Sequence, residues 1–224
     1  MEAYVIYIQG HEDSEKFSDR CVQSIIDTES DLTVQKFPAI TPSNMWKINY
    51  TWPLRKKSTC PKTGLRLSAY KTYDNDKRIA AAQSHYMLWR KSATLGQPIM
   101  ILEHDAIFTK KFDTKILDWW PGEGAVSINN PIGATFSAKE YDSQLTNGIN
   151  EVPWLTDNDI PQGLPGHSAY VIYPDAAREV MRLQDEIGWW PNDAIMCKQL
   201  CPWIRCYKPY LTKCQGIKST TSKE

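Results

Sequence analysis

PIMILEHDAIFTKKF, residues 98–112, decides how the rest of the chain is read. Ile99–Leu102 is apolar throughout, the composition of a strand buried on both faces of a parallel sheet. Glu103, His104 and Asp105 stand where that strand runs out. In an open α/β sheet, ligands bind beyond the carboxyl ends of the strands. If the chain stays extended, Glu103 and Asp105 point the same way. Two carboxylates so placed repel unless a cation lies between them or one keeps its proton. Mg²⁺ or Mn²⁺ answers that need, because hard oxygen ligands suit such ions. The ion could hold the phosphates of a diphosphate leaving group. The competing reading is a capping cluster in which Asp105 begins the next turn.

The segments before this strand set a β-α-β start. Residues 3–8 (AYVIYI) form a first strand rich in Val, Ile and Tyr. Ser14 is an N-cap candidate, and Phe17, Cys21, Val22, Ile25 and Ile26 follow at helical spacing. Leu32 to Phe37 alternates as a second strand, closed by Pro38. That order predicts parallel pairing with a right-handed crossover. A helix is expected from Asp76 to Ala93, stopped by Gly96-Gln97-Pro98.

After it come short strands at Ala125–Ile128 and Ser168–Tyr173, with a loop-like stretch between them at residues 129–166. Pro174 opens a helix carrying Ala176, Ala177, Val180, Met181 and Leu183, and Pro191 opens a last short helix through Leu200. One domain over residues 1–216 accommodates all of this, with a basic loop or insertion at 41–75 and a flexible tail at 217–224.

Composition narrows the class. The 224 residues are 42% hydrophobic and 23% charged, as in globular enzymes. No run approaches the roughly 18 apolar residues of a membrane span. The N-terminus lacks a basic leader, so a cytoplasmic location and thiol cysteines are expected. Cys197, Cys201, Cys206 and Cys214 crowd together without a CxxC pair, which favours buried thiols over a zinc site. Neither GxGxxG nor GxxxxGK[ST] occurs, which disfavours dinucleotide and P-loop sites.

The net charge is zero, yet residues 47–78 carry nine lysines and arginines against Asp74 and Asp76. Residues 198–224 carry six against Glu224. Such surfaces attract phosphates, or are simply solvated loops. Nine tryptophans, including Trp119-Trp120 and Trp189-Trp190, provide apolar faces for sugars or bases, or fill the core.

Four stretches, taken in order, resemble glycosyltransferase family 25. They are YVIYIQG, AAAQSHYMLWRK with Ser84, His85 and Trp89, PIMILEHDAIFTKKF, and GHSAYVIYPDAAREVM followed by PNDAIM. The resemblance implies a GT-A-type fold, a Rossmann-like α/β sandwich with a mostly parallel central sheet flanked by helices. It implies sugar transfer from a nucleotide-diphosphate sugar to an acceptor hydroxyl, with Mn²⁺ or Mg²⁺ and commonly with inversion. On this resemblance Asp105 is a metal ligand, and Glu103 reaches the metal or the ribose. His104 departs from the family's usual Asp, and either ligates the metal or points into the sheet.

Asp193 falls on the later acidic position, as a general base for the acceptor hydroxyl or a group that orients it. Tyr7, Gln9 and Ser84 fall on the donor side. His167, Ser168, Tyr170 and Trp190 fall on the acceptor side; His167 is equally a second metal ligand or a satisfied loop histidine. His85 is expected to pack or hydrogen-bond beneath the site. A glycan or a protein is the default acceptor, and a hydroxymethylated base in DNA is the alternative suggested by the basic stretch. A non-catalytic sugar- or nucleotide-binding module is the remaining reading.

Overall fold

The computed structural model describes residues 1–118, 122–133 and 137–216. Trp119, Trp120 and the tail 217–224 lie outside the described residues. The opening unit is β1 (Glu2–Tyr7), α1 (Glu12–Asp27) and β2 (Thr33–Pro38), and the two strands pair in parallel with Ile6 opposite Phe37. Helix α1 begins earlier than expected: His11 is its N-cap and accepts from Ser14 N, while Ser14 Oγ accepts instead from Ile8 N. Ser14 therefore ties the preceding loop to the helix rather than capping it.

The stretch 41–75 contains a two-stranded ladder, β3 (Ser58–Thr59) with β4 (Arg66–Leu67). It also sends Trp52, Cys60, Leu65 and Leu67 into the core, so it is anchored apolar structure as well as a basic surface. Helix α2 (Asn75–Leu95) is capped by Asp74, whose side chain accepts from Asp76 N, and ends at Gly96 in the left-handed region at φ 65°. β5 (Ile99–Glu103) follows, then β6 (Ala106–Phe108) and β7 (Ala125–Ser127).

Residues 129–166, expected as loop, hold a short helix α3 (Ala138–Ser143) and β8 (Gly148–Glu151). Tyr141 and Leu145 are buried there; elements this short are legible only through the tertiary contacts that stabilise them. β9 (Ala169–Ile172), α4 (Pro174–Ile187), α5 (Asn192–Ile195), β10 (Ile204–Lys208) and β11 (Thr212–Cys214) complete the chain. The helix expected through Leu200 stops at Ile195.

The main sheet has the order β2-β1-β5-β9-β7-β10-β8. β1 is parallel to β2 and β5, and β7 to β10. β9 is antiparallel to both β5 and β7, and β8 to β10. Five strands thus run one way, with β9 reversed among them. β11 pairs with β6 in a small separate sheet.

Alternation along the central strands divides the core into two layers. Ile99, Ile101, Tyr170 and Ile172 face one cluster with Leu88 and Trp89 of α2 and Val180 of α4. Met100, Leu102, Ala169 and Val171 face the other with Cys21 and Ile25 of α1. The apolar reading of Ile99–Leu102 holds on both faces. Among the described residues, no helix is long and apolar enough to cross a membrane. All six cysteines are free, and all but Cys214 are buried.

Candidate functional site

Because β1 and β5 run in parallel with Ile6 opposite Glu103, the loops that leave them share one edge of the sheet. Gln9 is exposed in the first loop and Tyr7 is half-buried, with Lys36 Nζ 4.5 Å from its ring centre. The second loop does not continue extended. The chain turns at His104–Asp105 before β6, so the strand alternation expected to align Glu103 with Asp105 does not apply. Tertiary contacts hold the turn instead. Gln215 N donates to Asp105 O at 2.8 Å, and Gln215 Nε2 donates to His104 O at 3.2 Å.

The two acids nevertheless lie within each other's field. Asp105 Oδ1 is buried with no hydrogen-bond partner. Burial, then the Glu103 charge, pushes the Asp105 carboxyl up to about 7, against a smaller opposing effect from the Cys214 thiol. His104 is held below the ordinary imidazole value, chiefly by burial and further by His11, although Glu103 pulls it upward.

Glu103 is gripped from beneath. His85 Nε2 lies 3.2 Å from Glu103 Oε1, and His85 Nδ1 lies 2.8 Å from the Tyr170 hydroxyl. Trp89 Nε1 donates to the same hydroxyl at 2.9 Å. His167 stacks on Tyr170 at 4.2 Å between ring centres, and neither of its ring nitrogens has a partner. Burial, then His85, holds His167 well below the ordinary value.

Asp193 approaches from a distant part of the chain, in the first turn of α5. The Tyr70 hydroxyl donates to its Oδ1 at 3.0 Å. Burial raises its carboxyl above the ordinary value and Glu103 adds to that, while Arg78 and the Tyr70 hydrogen bond oppose it. The Arg78 guanidinium lies 4.1 Å from the centre of the Tyr70 ring. Gly163 backs this segment: a Cβ there would meet Asp193 O at 2.4 Å.

Glu103, His104, Asp105 and Asp193 therefore share one electrostatic neighbourhood. The other expected contacts divide. Ser84 is buried; its Oγ donates to Ala80 O and accepts from Ile40 N at 2.8 Å, holding the chain after β2 in place. Ser168 Oγ lies 3.4 Å from Cys214 Sγ beside Asp105. Tyr170 and Trp190, read as acceptor contacts, are fully buried. Side chains with no exposed face cannot stack on a sugar, and both belong to the layer beneath the site.

Sequence reasoning missed Tyr70, Cys214 and Gln215. Arg78 was counted only as one of many basic residues. Of these, the aromatic-basic interleaving of residues 50–78 was the visible signal. Elsewhere in that stretch, Arg66 pairs with Asp157 and Asp159, and Lys62 donates to Glu186 O. Part of the positive charge is thus consumed within the protein.

Residues 12–121 match the sequence model of glycosyltransferase family 25 (LPS biosynthesis protein). No curated protein matches the chain. Among solved structures, a glycosyltransferase involved in glycosylation of the major capsid of PBCV-1 superposes with a TM-score of 0.49 at 9% identity, over 97% of this chain and 93% of that one. The galactosyltransferase LgtC, in complex with donor and acceptor sugar analogs, gives 0.42 at 8% identity over 92% and 73%. Mouse xyloside xylosyltransferase 1 gives 0.37 at 9% over 88% and 80%. Residues 12–121 carry the family-25 signature, and the enzyme class that goes with it is glycosyltransferase.

Proposed function

We propose that this glycosyltransferase moves a sugar from a nucleotide-diphosphate donor to an acceptor hydroxyl at the edge of the sheet where β1 and β5 end. The observation that carries the reading is the electrostatic coupling of Glu103 to both Asp105 and Asp193. Carboxylates from separate segments feel one another's charge near a strand's carboxyl end, and two of them are held above their ordinary values. Such shifts concentrate at catalytic sites.

Asp193 takes the proton of the acceptor hydroxyl. Its raised value makes it a stronger base than a solvated carboxylate, and Tyr70 fixes its orientation. A base acting directly on the acceptor fits single displacement, and therefore inversion. Gln9 and Tyr7 lie on the donor side of the edge. Glu103 and Asp105 are the candidate ligands for Mn²⁺ or Mg²⁺, and the unpartnered Asp105 Oδ1 fits an oxygen-ligated cation.

Among the described residues, no three His, Cys, Asp or Glu side chains are grouped to hold a metal. Such an ion would accordingly depend on donor phosphates and water for its remaining ligands. When bound, it would offset charge on the leaving diphosphate. His104, kept neutral by its burial, is a further candidate ligand. The acceptor is a glycan or a protein side chain.

The test is a thermal-shift screen of nucleotide sugars with and without Mn²⁺, followed by transfer assays on glycans and on hydroxymethylated duplex DNA. A donor that raises the melting point by mass action and supports glycan transfer is the expected result. NMR of the product anomer reads inversion directly. Binding without transfer to any acceptor would leave a sugar-binding module in place of an enzyme. Transfer confined to DNA, weakening steeply with salt, would replace the glycan reading.

A further inference from the structure

The residues beneath Glu103 form a chain with one consistent direction of donation. Trp89 Nε1 can only donate. It donates to the Tyr170 hydroxyl at 2.9 Å, and that hydroxyl also lies 2.8 Å from His85 Nδ1. His85 Nε2 in turn faces Glu103 Oε1 at 3.2 Å. Trp89 and Tyr170 are fully buried and His85 is 2% exposed, so water does not compete for these groups.

We infer that Trp89, Tyr170 and His85 are positioning residues that lock His85 in its Nε2–H tautomer and thereby aim the Glu103 carboxylate. Trp89 occupies an acceptor lobe of the Tyr170 oxygen, which leaves Tyr170 its single O–H to donate. His85 Nδ1 receives it, so Nδ1 is the unprotonated nitrogen. The ring proton then sits on Nε2 and is donated to Glu103 Oε1. The opposite tautomer fails twice. It places two donors on the Tyr170 oxygen with no acceptor for that residue's own proton, and it turns the Nε2 lone pair toward a carboxylate oxygen. Buried groups left unmatched in this way are costly.

The consequence is a fixed division of labour at Glu103. Oε1 is held by His85, and Oε2 remains for the reaction. His167 packs against the same group, stacking on Tyr170 at 4.2 Å between ring centres with the His85 ring 6.0 Å away. The role given to Glu103 rests on the proposed function; the tautomer assignment does not.

The experiment is ¹⁵N NMR of the histidine rings in the intact protein at neutral pH. The chain has four histidines, so His85→Gln assigns the His85 resonances by their disappearance. The expected spectrum shows His85 Nδ1 unprotonated and Nε2 protonated. An Nδ1–H tautomer or an imidazolium overturns the inference. In Tyr170→Phe the stacked ring stays and the hydroxyl goes, so His85 should become a mixture of tautomers; an unchanged spectrum also overturns it.

Transfer by Tyr170→Phe should fall about 10- to 100-fold, as for lost partners behind a functional group, mainly in kcat. Trp89→Phe should fall less. If Tyr170→Phe does not fold, the wild-type spectrum still decides. If no nucleotide sugar supports transfer, the functional reading fails while the tautomer result stands or falls on its own.

Discussion

Tyr70 and Asp193 are 123 positions apart, yet the Tyr70 hydroxyl donates to Asp193 Oδ1 at 3.0 Å. That bond favours the ionised carboxylate, as does the charge of Arg78. Burial and Glu103 act the other way. The candidate base is thus balanced between desolvation and two compensating groups, one neutral and one cationic.

Removing either compensating group should move the acid limb of activity. A base works only when ionised, so transfer is lost as pH falls through its pKa. Tyr70→Phe and Arg78→Met both withdraw an effect that lowers the Asp193 value. The acid limb of the kcat/KM profile should therefore shift to higher pH in each variant. A limb that stays in place would assign the base to another residue.

Asp193→Asn keeps the shape of the side chain and removes its basicity. Loss of general-base catalysis typically costs about 10²–10⁴-fold, and the loss should appear in kcat with donor affinity retained. Isothermal titration with the donor and initial-rate assays separate the two. Full transfer by this variant would remove Asp193 from the mechanism.

Asp105 makes stability depend on pH in the direction opposite to a salt-bridged acid. Its carboxyl is raised from 3.8 to about 7 in the fold. Between those values the unfolded chain has released a proton that the folded chain still holds. Stability therefore falls as pH rises through that window. Urea midpoints measured at both ends of it should show the fall, and Asp105→Asn should flatten it. Because a metal needs the ionised ligand, any stabilisation by Mn²⁺ should grow across the same window.

Gly163→Ala tests the packing behind the site. The added methyl would meet Asp193 O at 2.4 Å, a backbone atom that cannot swing aside. Overpacking of this kind costs about 1–3 kcal/mol, read as a fall in Tm of several degrees. Transfer should drop more than stability does, because the displaced segment carries Asp193.

Much of the architecture was legible in short stretches. Ile99–Leu102 is apolar without interruption, and both of its faces are covered. Pro174 and Gly96 mark helix ends through their own backbone preferences. Residues 129–166 were not legible, since α3 and β8 are too short for a period to register and form against Tyr210, Lys208 and Cys206. Between the extended chain and the turn that the sequence leaves open at His104–Asp105, the structure has the turn, and what holds it is Gln215, more than a hundred residues away.

By itself the sequence determined which residues could do chemistry, Glu103, His104, Asp105 and Asp193, because charged side chains next to an apolar strand or a Pro-opened helix announce themselves locally. Only the tertiary structure decided which of them share a field and what restrains each one. The His85 contact to Glu103 joins α2 to β5, the Tyr70 contact to Asp193 spans 123 positions, and burial is set by the whole fold. Desolvation and hydrogen-bond direction depend on such neighbours through space, and no local pattern encodes them.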